Sequence, residues 1–138
     1  MENLDRRSAI LFGTSLFVPL VSLSRPAEAA MYAADAGKEI MPGIRQVELG
    51  KWPIDLGSYK NAVVNDYIFG PGTGFPSEVM KNDMICQMIE GEVWVKQGDK
   101  EFTAKMGHTF TCAKDSSEED KNQSSAVAVM RVIDLLPA

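Results

Sequence analysis

Residues 74–95 read GFPSEVMKNDMICQMIEGEVWV, a run in which acidic and sulfur-bearing side chains recur at short intervals. Glu78 and Asp83 carry carboxylates, Met80, Met84 and Met88 thioethers, and Cys86 a thiol. Carboxylate oxygens suit hard ions such as magnesium, calcium or manganese, whereas thioethers suit cuprous copper. Carboxyls held close together can divide acid and base roles, because one of them keeps its proton. Imidazole most often holds zinc, iron or nickel, yet His108 is the only histidine in 138 residues. A site built on three histidines is therefore excluded by composition alone.

Positioning such groups requires strands. If Met84 faces an interior, so do Cys86 and Met88, because residues two apart share a face. Strand-length segments at 44–49, 61–69, 84–90, 92–97, 100–105, 108–112 and 126–136 are rich in apolar, β-branched and aromatic residues. Turn chemistry separates them at 70–74, Gly91, Gly98-Asp99 and Gly107. Residues 50–60, with Pro53 and Gly57, read as loop, and 115–125 (DSSEEDKNQSS) as a second, polar loop. No segment after residue 30 shows a helical period. Short strands with glycine-rich turns predict an all-β sandwich or barrel.

The first 30 residues follow a different logic. Arg6 and Arg7 precede an apolar run interrupted by Gly13 and Pro19, then SRPAEAA, in which Ala27 and Ala29 stand at A-x-A spacing. That order is a cleavable export signal, with cleavage after Ala29 or Ala30, and the run is too short and broken for a comfortable membrane helix. DRRSAIL resembles a twin-arginine signal, and the general secretory route stays open. The expected organisation is a signal peptide at 1–29, an arm and first strand at 30–60, and a barrel at 61–138. The expected location is the bacterial periplasm or outside, with no membrane anchor after processing. A net charge of −5 without a basic patch argues against nucleic acid as a partner. Cys86 and Cys112 are the two cysteines. In an oxidising compartment they are candidates for a disulfide, and otherwise two buried thiols.

Two spaced motifs resemble those of the cupin family, small β-barrels of the jelly-roll type. Gly72, Glu78, Met80, Met84 and Gly91 fit the frame G-x5-H-x-H-x3–4-E-x6-G, and Gly107, Ala113, Asp115, Glu118 and Asn122 fit G-x5-P-x-G-x2-H-x3-N. Gly72, Gly91, Gly107 and the closing asparagine match; the ligand positions hold Glu78, Met80, Met84 and Glu118. The resemblance implies a cupin-like barrel in which those four side chains converge on one cavity, with Cys86, Met88, Cys112 and Met130 as further lining. It also implies a homodimer. Metal-dependent activity of the family type loses its usual ligands here, so the expected role is a small-ligand-binding or structural module rather than an enzyme. Two rival readings remain. One is a metal-dependent enzyme on a small polar substrate, holding a single divalent ion with Glu78 and Glu118, assisted by His108 or Asp83. The other is a periplasmic copper-binding protein using methionine and cysteine. The methionines and cysteines also read simply as core packing.

Overall fold

Apolar and polar residues alternate through most of the chain after residue 37, and this period-2 pattern folds as strands. The computed structural model describes residues 30–138, so the signal-peptide reading lies outside them. Ten strands form: β1 (Lys38–Met41), β2 (Ile44–Leu56), β3 (Tyr59–Phe69), β4 (Gly74–Val79), β5 (Asp83–Glu90), β6 (Glu92–Gln97), β7 (Lys100–Lys105), β8 (Thr109–Cys112), β9 (Ser117–Lys121) and β10 (Ala128–Pro137). They make a six-stranded sheet, β1-β2-β3-β10-β5-β8, facing a four-stranded one, β4-β9-β6-β7. Paired neighbours run antiparallel throughout. The chain changes sheet between β5 and β6 at Gly91, whose positive φ of 68° suits glycine. This is the jelly-roll sandwich expected from the sequence.

Two loop readings are corrected. Residues 50–60 are strand on both sides of a turn at Gly57-Ser58. Pro53 misled, because β1 flanks β2 only from Ile44 to Gln46. Beyond that point β2 is an edge strand, where proline is tolerated. The polar run at 115–125 contains β9, in which Glu118 and Asp120 turn inward while Lys121 faces water. Residues 38–41, expected to belong to an arm, form β1 and pair with β2.

The core between the sheets is built from Ile44, Phe69, Met88, Val93, Val95 and Phe110, with smaller residues around them. Two polar devices lock it. Asn122 is fully buried. Its amide Nδ2 donates to the carbonyls of Phe69 (3.1 Å), Gly70 (3.3 Å) and Ala126 (2.7 Å). Its Oδ1 accepts from the Ser124 N–H (3.0 Å) and hydroxyl (2.7 Å). One side chain thus joins the end of β3 to the segment entering β10. On the outer face of the large sheet, Asp66 is fully buried and accepts two bonds of 2.9 Å from Nε and Nη2 of Arg131. The Tyr32 hydroxyl donates to the same carboxylate, which ties residues ahead of β1 onto the sheet.

Candidate functional site

A cavity of about 220 Å³ opens between the sheets. Each wall comes from a strand whose alternation turns specific residues inward. β5 supplies Met84 and Cys86, β10 supplies Met130, Val132 and Asp134, and β3 supplies Tyr67. β9 supplies Glu118 and Asp120, and β4 supplies Phe75, Pro76 and Glu78, with Met80 just beyond it. Glu78 stands directly across from Glu118, and Phe75 across from Asp120. Three steps along β4 therefore oppose two along β9, a bulge that brings both Phe75 and Glu78 to the inner side. At Gly74 the two backbones approach so closely that a Cβ there would stand 2.1 Å from the Asp120 carbonyl oxygen. Asp115, where the family frame carries glycine, adopts a φ of 69° in the turn before β9.

The structure brings Glu78, Met80, Met84 and Glu118 to one cavity, with Cys86 and Met130. It does not bring the others. Met88 lies in the packed core. Cys112 is buried, 3.7 Å from the Ser116 hydroxyl, and is not part of the cavity lining. The candidate disulfide is corrected: both cysteines are free thiols. Cys112 pairs with Met84, and Cys86 with Phe110, so the two cysteines sit diagonally across β5 and β8 rather than opposite. Burial, reinforced by nearby carboxylates, pushes the Cys112 thiol up to about 12 and Cys86 higher still. Neither is a ready thiolate nucleophile.

The assisting metal ligands are corrected too. His108 is exposed at the turn into β8 and packs against Phe102 and Phe110, with centroids 5.6 and 5.9 Å away. Asp83 faces a separate surface pocket and accepts bonds from the Tyr59 hydroxyl and, at 2.7 Å, the Lys114 N–H. Those bonds, Tyr59 first, hold its carboxyl below the usual range. Neither residue lines the cavity. Among the described residues no three histidine, cysteine, aspartate or glutamate side chains stand close enough to share a metal ion. The carboxylate and thioether donors also prefer different metals. The residues do not fit the divalent metal that the family resemblance implies.

Asp120 is one of the site residues that sequence reasoning missed, with Asp134, Tyr67 and Phe75. It is 6% exposed, and its Oδ1 is buried without a hydrogen-bond partner. Glu118, at 4%, accepts a 2.7 Å bond from Gln97 Nε2, which also donates to the Thr111 carbonyl. Burial, then the neighbouring Glu118 charge, raises the Asp120 carboxyl to about 9. Burial also raises Asp134, partly offset by a bond to Asn82. At neutral pH folded Asp120 therefore holds a proton that the unfolded chain releases. Where the native state binds the extra proton, stability falls as pH rises, here from about pH 4 to about pH 9. Asp120→Asn is expected to remove this slope. Between pH 5 and pH 7 wild type should lose about 2.5 kcal/mol more than the variant in urea unfolding. Parallel pH profiles would show that Asp120 is ionised in the fold.

No family sequence model and no curated protein sequence matches the chain. Solved structures do. KdgF from Halomonas sp. superposes with a TM-score of 0.60 at 13% identity, over 72% of this chain and 84% of that one. An RmlC-like cupin from Shewanella frigidimarina gives 0.58 at 11%, over 76% and 89%. A cupin-superfamily sugar phosphate isomerase from Silicibacter pomeroyi gives 0.57 at 20%, over 70% and 61%. At such identities the likeness is one of fold, and the fold of this chain is the cupin barrel.

Proposed function

We propose that this protein is an exported cupin-fold module that binds a small organic molecule in its barrel cavity. The observation that carries this reading is the buried Asp120 carboxyl, whose Oδ1 receives no hydrogen bond from any donor among the described residues, in the wall of a 220 Å³ cavity. Native interiors rarely leave such a group unsatisfied, and a bound ligand is one way to satisfy it. Apolar walls with a few convergent polar groups are the usual composition of small-molecule sites. The test is a ligand-observed NMR screen of small polar organic compounds against wild type and Met84→Trp, whose larger side chain fills the cavity. Compounds that bind wild type and fail to bind the filled variant support the reading. A screen whose every hit survives the filling overturns it.

Export rests on the sequence of residues 1–29. The mature protein is expected to begin at Ala30 or Met31 when its N-terminus is sequenced, and retention of Met1 would refute processing. Homodimerisation is a further proposal, for which Leu49, Trp52 and Leu56 supply exposed apolar surface along β2.

A further inference from the structure

The cavity is charged in one sense only. Glu118 and Asp120 stand two apart on β9, Asp134 reaches the cavity from β10, and Glu78 lies at its exposed rim. Among the described residues no lysine, arginine or histidine shares the lining. Carboxyl groups gathered in a low-dielectric space without a counter-charge favour any cation that can reach them. The remaining wall has its own preference. Tyr67 and Phe75 meet edge to face at 5.5 Å, beside the thioethers of Met84 and Met130. Aromatic rings and polarizable sulfur accept a positively charged group while packing against hydrocarbon.

Resting on the reading of this cavity as a binding site, we propose that its ligand is a small organic cation. An ammonium group bonds Asp120 Oδ1 and Glu118, with Asp120 releasing to solvent the proton it holds in the empty cavity, and a short hydrocarbon body lies against Phe75, Met84 and Met130. A bare metal ion matches less well. The described residues offer no three-ligand cluster, and the cavity volume far exceeds the ~30 Å³ of one water molecule. An anionic ligand would meet four carboxyl groups and no base.

The test is calorimetric titration of the full mature protein with n-butylammonium, its neutral analogue 1-butanol, and butyrate. The expected result is that n-butylammonium binds about tenfold tighter than 1-butanol, or better, and butyrate not at all. Asp120→Asn and Glu118→Gln should each abolish that preference. Both substitutions are isosteric and relieve repulsion between carboxyls, so lost binding is not lost folding, and a thermal melt checks this. Equal binding of n-butylammonium and 1-butanol, both lost in Met84→Trp, would overturn the cation while leaving the cavity reading intact. Binding of n-butylammonium that Met84→Trp and Asp120→Asn leave unchanged would overturn it by placing the cation elsewhere. Calcium chloride that binds tightly and displaces n-butylammonium would overturn it in favour of a hard ion.

Discussion

Asn122→Ala is expected to lower the unfolding free energy by about 2–3 kcal/mol, a large share of the stability of a domain of this size. The side chain is fully buried, and its amide serves the carbonyls of Phe69, Gly70 and Ala126. Truncation removes one donor from all three carbonyls; Gly70 keeps the Thr73 hydroxyl at 2.7 Å and Ala126 the Ser124 hydroxyl at 3.1 Å, so the loss falls hardest on the buried Phe69 carbonyl, where an unpaired group costs about 1–3 kcal/mol. Ser124 loses its acceptor as well, but it stands near solvent and recovers part of the loss. Asn122→Asp keeps the acceptor and removes the donors, while aiming a carboxylate at carbonyl oxygens. It should be at least as damaging. Urea unfolding followed by tryptophan fluorescence measures both, and a loss below about 1 kcal/mol for alanine would show that the segments hold without the staple.

Arg131→Met should cost about 3 kcal/mol by a different route. Asp66 is fully buried, while the side chain of Arg131 is 30% exposed. Removing the arginine leaves a buried carboxylate with the Tyr32 hydroxyl as its remaining side-chain partner. Breaking one half of a buried pair costs about 3–5 kcal/mol, and partial exposure of the arginine argues for the lower end. Replacing both partners with apolar residues differs in kind, since no charge is stranded. Asp66→Leu combined with Arg131→Met is therefore expected to recover most of the loss. A double variant as weak as the single one would mean that the pair contributes through geometry rather than through charge.

The sequence disclosed this fold through period and punctuation. Segments 84–90, 92–97 and 100–105 agree with β5, β6 and β7 because apolar alternation was interrupted by Gly91 and Gly98-Asp99. Residues 50–60 were misread because Pro53 and Gly57 resemble loop chemistry, and only the pairing shows that β2 is an open edge there. In the site, the motif spacing located Glu78, Met80, Met84 and Glu118, whereas Asp120 was hidden inside an acidic run. A signal did exist. Glu118, Asp120 and Asn122 share one phase, and a frame that points the first inward points the other two inward. The density of charge in this run masks that period. His108 is expected in the site and faces out of it, because the residue after a turn glycine can face either way.

The bulge in β4 gives the site an unusual tolerance. Phase in a strand is normally hostage to length, since inserting or losing one residue reverses every side chain beyond it. Between Phe75 and Glu78 the extra residue is absorbed by the bulge, and pairing resumes at Glu78 opposite Glu118. A homologous chain one residue shorter at this point would form a regular ladder and still present the same carboxyl to the same cavity. The rim of this barrel can therefore change its loop length over evolutionary time while the interior keeps its composition.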